Sequence, residues 1–485
     1  MPHSRLPVTF LTFLICLGTL LMMPKQSQAQ TIAQDPWFDQ FWQTAQGVKN
    51  KKAQRALKKV LSNPKMYRFQ VLITEYEKLA SGEERLTPHA FRVDDEYFYP
   101  ASAIKTYASI AALRHYTLLR QEHPWLTTND PMSQSRKTCQ KKDKSNEANA
   151  LASLEHEIKK TQLISSNKAF NTVFNVTGFR TLHEYILPDF PSVRVFHRLS
   201  SRETHQESLK TPALHLCDWT KKGPNKKKSY LRKLATSTED LNDLTGSPVH
   251  KYTGFKDNQL SLKVGHKYKH MKSKKLISEP MDFTFKNRSS FYDFQRLNMA
   301  MYMPNKATPF GPAVKLLSTN ALESDHKSNS KSNSKLPLIR KVWLNELRHA
   351  MAIYPRHSEN PKYSGKSLSE TRFKPLIRGV RWADKRLKND ANIYYLNKAG
   401  KALGFHMDNA FIAYGTEAGK IKKSGFPTRS PKYGLFVTVG LYVNKDQILN
   451  DDKYEYSQIS VPVLNAIGYS IGRYLMEKQT QQTQQ

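Results

Sequence analysis

Residues 97–119 read YFYPASAIKTYASIAALRHYTLL, and this stretch sets the expected architecture of the chain. Three aromatic residues and Pro100 end an extended segment, and the small and apolar residues that follow predict a helix from about Ser102 to Leu119. Residues three apart on a helix share a face, so Ser102 at the helix start lies beside Lys105. A lysine is costly to bury in an apolar helix, which indicates that Lys105 has a chemical role.

The spacing of Ser102 and Lys105 suits a serine nucleophile with a lysine base. A serine hydroxyl is a poor nucleophile until a base takes its proton, and a desolvated lysine can be that base. Burial or a second cation lowers a lysine pKa, and a helix start offers N–H groups to an oxyanion. The same Ser-x-x-Lys spacing begins at Ser62, Ser165, Ser324, Ser328 and Ser332. Ser102 differs from these serines by its apolar helical setting.

Strand and helix patterns lie on both sides of this stretch. Helical periodicity over residues 35–63 ends at Asn63-Pro64, and residues 151–187 are again helical. Strands are predicted near both termini, and a helix is predicted to pack on the last two; these segments are Met66–Tyr76, His89–Tyr99, Asn409–Tyr414, Leu435–Val443 and the helix Ile459–Leu475. Periodicity alone therefore gives an α+β fold.

Two more short patterns follow Ser102 along the chain. Ser165-Ser-Asn167 precedes a helical segment, where serine and asparagine are also good helix caps. Lys398-Ala-Gly400 precedes a turn and a strand, and a glycine there lets a backbone approach closely. Each pattern is common alone, but their order along the chain is informative.

The three patterns together resemble the active site of the penicillin-recognising serine hydrolases, which include class A β-lactamases and DD-peptidases. Flanking segments strengthen the resemblance: SSNKAFNTVFNVTGF, VRVFHRLS, EPMDFTFKNRSSF and VNKDQILNDDKYEY. The similarity covers about residues 60–475, with lysine-rich insertions as departures.

This resemblance implies one antiparallel sheet, built from both ends of the chain and flanked by helices, with an inserted all-helical subdomain. The implied boundaries are a signal peptide at 1–29, the first α/β part with the nucleophile helix at 30–120, the helical subdomain at 121–385, the second α/β part at 386–478 and a disordered tail at 479–485.

The resemblance also implies a role for each residue of the three patterns. Ser102 is the nucleophile and Lys105 its base, Ser165 relays a proton to the leaving group, and Asn167 holds substrate. Lys398 draws in a substrate carboxylate, Gly400 leaves room for the ligand, and the backbone N–H groups of Ser102 and Lys401 form the oxyanion hole. Ala399 replaces the usual hydroxyl residue, which removes one hydrogen bond to that carboxylate.

A β-lactamase also needs a base for deacylation, and class A enzymes use a loop glutamate. The candidates are Glu203 and Glu207, in SSRETHQESLKTPAL. Neither lies in a Glu-x-x-x-Asn pattern, so each can equally be an exposed loop carboxylate. Without such a base, an acyl-enzyme formed from a β-lactam would be long-lived.

The N-terminus and the charge indicate an exported basic protein. Residues 1–29 resemble a signal peptide with Ser27-Gln-Ala29 as the cleavage site, and an uncleaved membrane anchor is the alternative. Cleavage reduces the formal charge from +35 to +33, which favours binding to an anionic envelope polymer. Basic and polar insertions are expected at 220–234, 263–275 and 327–335.

Cleavage leaves two cysteines, Cys139 and Cys217, which either form a disulfide or remain free thiols. The histidines show no ligand set for a metal, and we expect no cofactor. The leading prediction is therefore a monomeric, periplasmic or secreted serine hydrolase that opens β-lactam or related amide bonds, with no specific nucleic-acid partner. The alternatives are a DD-peptidase or amidase acting on cell-wall peptides, and a non-catalytic basic protein that binds the cell envelope.

Overall fold

The computed structural model describes residues 35–130, 132–133, 153–201, 205–212, 215–217, 229–231, 262–317, 336–363, 368–415 and 417–484. The predicted signal peptide, Cys139, Glu203, the 327–335 segment and most of 220–234 lie outside these residues.

The described residues form the following elements. The helices are α1 Trp37–Gln46, α2 Lys51–Ser62, α3 Lys105–Glu122, α4 Leu154–Leu163, α5 Asn167–Thr177, α6 Phe179–Ile186, α7 His205–Leu209, α8 Phe291–Tyr302, α9 Lys341–Ala352, α10 Glu370–Phe373, α11 Ile377–Ala383 and α12 Val461–Gln484. The strands are β1 Gln70–Lys78, β2 Glu84–Phe91, β3 Met132–Ser133, β4 His215–Cys217, β5 Ser229–Leu231, β6 Lys263–Val264, β7 Lys267–Lys269, β8 Leu276–Ile277, β9 Met281–Asp282, β10 Ile393–Ala402, β11 Phe405–Tyr414, β12 Tyr433–Tyr442 and β13 Ile448–Leu449. Short 3₁₀ turns cover Ala101–Ile104, Pro355–His357, Lys385–Lys388 and Asp390–Asn392, and a π-helical turn covers Tyr456–Ser460.

The central sheet has the order β10-β11-β12-β1-β2. Every neighbouring pair is antiparallel, and strands from the two ends of the chain meet where β1 pairs with β12. The predicted fold class, an α+β fold with an antiparallel sheet built from both ends, is confirmed by this order. The arrangement leaves β10 as an edge strand.

Successive side chains along each strand point to opposite faces of the sheet, and both faces are buried. On β1, Leu72 and Tyr76 join the apolar cluster that contains α3 and α8, whereas Val71 and Ile73 join the cluster that contains α1, α2 and α12. The sheet is therefore covered on both sides, and α3 begins on the first of these faces.

Some boundaries differ from the prediction. The helix expected over 35–63 is two helices, because Gly47 ends α1 and the Asn50 side chain accepts the Ala53 N–H to cap α2. The strand expected at 89–99 instead ends at Phe91, since Arg92 and Asp94 adopt φ angles of 51° and 62°. Left-handed residues cannot continue an extended strand.

The inserted part of the chain also differs from the expected all-helical subdomain. Short ladders accompany its helices, including β6 with β9 and β7 with both β8 and β13. These strand pairs are only two residues long. The insertion is therefore helical with short strands rather than all-helical. Helix α12 continues to Gln484, because the Gln/Thr-rich segment expected to be a disordered tail contains no Pro or Gly to stop it. Among the described residues, no helix has the length and apolar character of a membrane span.

Candidate active site

Ser102 lies in a single 3₁₀ turn that leads directly into α3. The Ala103 N–H donates to the Pro100 carbonyl oxygen at 3.0 Å, and Ala101 has a φ of 47°. A left-handed alanine is strained, since Cβ crowds the following carbonyl. The half-buried Ser102 is thus presented by a tight, strained turn at the start of a helix.

Lys105 lies one turn after Ser102 and is 0% exposed. Its ammonium nitrogen is 2.5 Å from the Ser165 carbonyl oxygen, 2.7 Å from Asn167 Oδ1 and 3.2 Å from Ser165 Oγ. The first and second sequence patterns, 60 residues apart, are therefore joined through this one amine.

The surroundings of Lys105 favour its neutral form. Burial lowers the pKa of Lys105 well below its ordinary value, and the nearby Lys398 cation lowers that pKa further. Among the described residues, no carboxylate contributes to this shift. A neutral amine keeps two N–H donors for the Ser165 carbonyl and Asn167, and it has a lone pair that can accept a proton.

Ser165 and Asn167 are not the residues that cap helix α5. The cap of α5 is Ser166, whose Oγ accepts the Ala169 N–H at 3.2 Å. Ser165 has a φ of 56°, and its hydroxyl remains at Lys105. The Asn167 amide nitrogen donates to Ser200 Oγ at 2.5 Å, so this side chain links Lys105 to the segment that precedes Glu203.

Gly400 lies where edge strand β10 passes the nucleophile turn. A Cβ at this position would overlap the Pro100 carbonyl oxygen and lie 2.9 Å from the Ala103 nitrogen. Only glycine permits this approach, so the third pattern contacts the first through its backbone.

Lys398 lies on the same face of β10 as Gly400, because side chains two apart on a strand share a face. It is 4% exposed, and within the described residues its ammonium group has no hydrogen-bond acceptor. Burial lowers the pKa of Lys398 to about 7, although the Asp408 carboxylate raises it. A nearly buried cation without an acceptor favours an anionic ligand at this point.

The backbone of Lys401 faces the open edge of the sheet. The Tyr395 carbonyl points away from β11, since it accepts a hydrogen bond from Lys374 at 2.6 Å. Backbone polar groups alternate in direction along a strand, so those of residues 395, 397, 399 and 401 share this outer side. The Lys401 N–H is therefore available on the side of the edge strand where the oxyanion donor is predicted.

Comparison with solved structures finds similar folds. A class A β-lactamase from Clostridium kluyveri matches with a TM-score of 0.37 and 12% identity, over 88% of this chain and 99% of that one. A β-lactamase from Desulfarculus baarsii matches with a TM-score of 0.39 and 10% identity, over 88% of this chain and 99% of that one. Penicillin-binding protein 1A from Haemophilus influenzae matches with a TM-score of 0.31 and 11% identity, over 82% of this chain and 47% of that one.

The chain is thus similar in fold to several β-lactamases and to a penicillin-binding protein. No protein-family model matches the chain, and no curated sequence matches it.

Only one of the two candidate deacylation bases is among the described residues. Glu207 is an exposed residue of the five-residue helix α7, and Glu203 lies outside the described residues. Cys217 lies in β4, but Cys139 is not described, so the disulfide remains a prediction.

Sequence reasoning missed three polar residues that are buried beneath β10: Lys374, Asn397 and Asp408. Asp408 is the one carboxylate in the largely apolar strand FHMDNAFIAY, and that isolated charge was the available signal. Lys374 had no comparable signal, because its partners become neighbours only when β10 is placed in the sheet.

Proposed function

We propose that this protein is a serine hydrolase that opens a β-lactam or related amide bond through an acyl-enzyme on Ser102. The observation that carries the proposal is the buried Lys105 amine, one helical turn from Ser102 and bound by Ser165 and Asn167. A lysine held in this way, with its pKa lowered by burial, is suited to take a proton from a serine.

The acylation step uses the groups already described. Neutral Lys105 accepts the Ser102 hydroxyl proton while Ser102 Oγ bonds to the carbonyl carbon of the substrate. The backbone N–H groups of Ser102 and Lys401 stabilise the oxyanion, and the helix start adds a favourable dipole. The carbon–nitrogen bond then breaks, and the Lys105 proton reaches the leaving nitrogen through the Ser165 hydroxyl, which lies 3.2 Å from Lys105 Nζ.

The substrate that fits this site carries an anionic group. Lys398 supplies a nearly buried positive charge near the nucleophile, and Ala399 offers no hydroxyl to share the binding. A carboxylate adjacent to the scissile amide satisfies Lys398. We propose that this one interaction positions the substrate for attack by Ser102.

Deacylation is the slower half of the proposed reaction. Among the described residues, no carboxylate acts on Lys105, and Glu207 is exposed. This observation favours the second candidate function, a DD-peptidase or amidase of cell-wall peptides, in which a β-lactam acylates Ser102 and stays bound. Glu203 or Glu207 remains the candidate base if hydrolysis proves fast.

Two measurements test the proposal. Labelling with a fluorescent penicillin reports acylation, and hydrolysis of a chromogenic cephalosporin reports turnover. We expect labelling of the wild type and of a Lys272→Ala control in the exposed basic stretch, and none of Ser102→Ala. Rapid turnover identifies a β-lactamase, and stable labelling without turnover identifies a peptidase. A wild type that shows neither reaction contradicts the proposal.

We also propose that the protein is exported, with residues 1–29 as its signal peptide and the basic surface facing envelope polymers. The proposal is supported by the apolar N-terminal sequence and the Ser-x-Ala site. N-terminal sequencing of the mature protein tests it, with Gln30 expected as the first residue. A mature chain that begins at Met1 would contradict cleavage.

A further inference from the structure

A second set of buried polar side chains lies beneath edge strand β10. Lys374 Nζ donates to the Tyr395 carbonyl at 2.6 Å, the Met351 carbonyl at 3.2 Å and Asn397 Oδ1 at 3.2 Å. The lysine is only 2% exposed, and the Tyr395 ring lies 4.9 Å from its ammonium group. A buried lysine with neutral acceptors alone needs a nearby negative charge.

Asp408 provides that negative charge. Its carboxylate accepts a hydrogen bond from the Tyr395 hydroxyl at 2.5 Å and one from the Asn397 amide at 2.8 Å, and its side chain is 0% exposed. The carboxylate is therefore fixed in place by two side chains of the neighbouring strand.

The register of the sheet places Asp408 directly behind the candidate active site. Asp408 pairs with Ala399, and cross-strand partners point to the same face, whereas Lys398 points to the opposite face. The carboxylate thus lies under the backbone that separates it from Lys398. Buried charges on the two faces of neighbouring strands interact strongly, because little water screens them.

We propose that Asp408, anchored by Tyr395 and Asn397, is a positioning residue that holds Lys398 in its charged, anion-binding form. The inference rests on the proposed function, since it assigns Lys398 to the substrate carboxylate. Asp408 touches no substrate and acts only through Lys398. The buried carboxylate explains how Lys398 can stay protonated in the solvent-poor surroundings of the nucleophile.

Three titratable groups lie near Lys398 and affect its protonation. Lys105 approaches Lys398 from α3 and Lys374 approaches it from the far face, and a proton on either amine disfavours a proton on Lys398. Among the residues that the structure describes, Asp408 is the group that favours a proton on Lys398. Burial raises the pKa of Asp408 to about 6 and lowers the pKa of Lys374 to about 7.

The charge on Lys398 depends on pH. Below about pH 7 Lys398 is charged and can bind an anion, and near pH 7 the ionised Asp408 carboxylate supports that charge. Above pH 7 Lys398 loses its proton and the substrate carboxylate loses its partner. The alkaline limb of substrate binding therefore reports the charge on Lys398.

Two variants with opposite expected signs test the proposal. Asp408→Asn removes the stabilising charge and should move the alkaline limb of the acylation rate to lower pH by about 1 unit. Lys374→Met removes a repelling charge and should move that limb to higher pH by about 0.5 unit. If the buried polar residues beneath β10 had only a structural role, both variants would shift the alkaline limb of the acylation rate in the same direction.

The acylation rate constant is measured from pH 5.5 to 8.5 with a penicillin that has a free carboxylate and with its methyl ester. At pH 7.5 we expect Asp408→Asn to lose about 10-fold toward the free acid, to recover near pH 6 and to change little toward the ester. Equal losses toward both probes at every pH, or unchanged limbs in both variants, would overturn the inference.

A direct readout separates this inference from the proposed function. The ¹³Cε chemical shift of Lys398 follows its protonation without any reaction at Ser102. It should titrate at lower pH in Asp408→Asn and at higher pH in Lys374→Met than in the wild type. If the wild type is not acylated, the proposed function fails, but this titration still decides the role of Asp408. If Asp408→Asn does not fold, the upward shift in Lys374→Met remains the required result.

Discussion

Lysines in two regions of this protein have opposite environments. Under and around β10, Lys105, Lys374 and Lys398 are at most 4% exposed and have lowered pKa values because they are buried. In the basic stretch 263–275, most lysines are exposed on short strands and turns. The comparison shows that burial, rather than the number of charges, makes a lysine useful as a base or an anion-binding group. The net charge of +35 alone cannot distinguish these two kinds of lysine.

The largest expected effect is at Lys105. Lys105→Ala removes the proposed base, and general base catalysis typically contributes about 10²- to 10⁴-fold, so we expect acylation by penicillin to fall by about that factor. The matched control is Lys272→Ala in the exposed stretch, which should acylate at the wild-type rate. The second-order rate constant for labelling measures both effects. Similar decreases in the two variants would contradict the proposed difference between buried and exposed lysines.

A smaller loss is expected when β10 is pushed away from the nucleophile turn. Gly400→Ala places a Cβ against the Pro100 carbonyl, and a displacement of about 1 Å near reacting groups can lower a rate about 10²-fold. Gly415→Ala is the control, since its Cβ would meet only Ala418 Cβ at 3.7 Å. Acylation by Gly400→Ala at the rate of Gly415→Ala would show that this close contact does not position the site.

Lys398→Ala should mainly weaken substrate binding. Loss of a charge-assisted hydrogen bond costs about 1.5–3 kcal/mol. We therefore expect the saturation constant for a penicillin with a free carboxylate to rise roughly 10- to 100-fold. The limiting acylation rate should change less than the saturation constant, which stopped-flow labelling separates. An equal loss toward the methyl ester would contradict the assignment of Lys398 to the carboxylate.

The smallest expected effect concerns backbone strain in the two regions. Ala101 and the exposed Lys274 have φ angles of 47° and 59°, so glycine at either position should raise the free energy of unfolding by up to about 1 kcal/mol. Only Ala101→Gly should also slow acylation, because it loosens the turn that presents Ser102. Chemical denaturation and labelling rates measure the two effects, and slower acylation in Lys274→Gly would be unexpected.

Local spacing explains why part of the site could be predicted from the sequence. Ser102 and Lys105 are one helical turn apart, so their proximity needs no knowledge of the rest of the fold. The fold class also followed from strand patterns near both termini. The strand limits were less certain, because Arg92 and Asp94 turn the chain with left-handed φ angles that the alternation of aromatic residues does not indicate.

The other parts of the candidate site depend on contacts between segments that are distant in the sequence. The bonds from Lys105 to Ser165 and Asn167 require α3 to pack beside the start of α5, and the order of the motifs only suggested this. The cluster beneath β10 depends on sheet register, which places Asp408 opposite Ala399 and on the other face from Lys398. A one-residue change in register would reverse that relation. The register is fixed by the two-residue turn between β10 and β11, where Leu403 and Gly404 have φ angles of 52° and 82°.

The most direct test of the central claim is intact-protein mass spectrometry over time after mixing with benzylpenicillin, followed by peptide mapping. We predict one adduct with the mass of the whole penicillin, located on Ser102 and formed at least about 10²-fold more slowly in Lys105→Ala. The adduct should be absent from Ser102→Ala and should persist in the wild type. No adduct, or an adduct on another residue, would contradict the assignment of Ser102 and Lys105 as nucleophile and base.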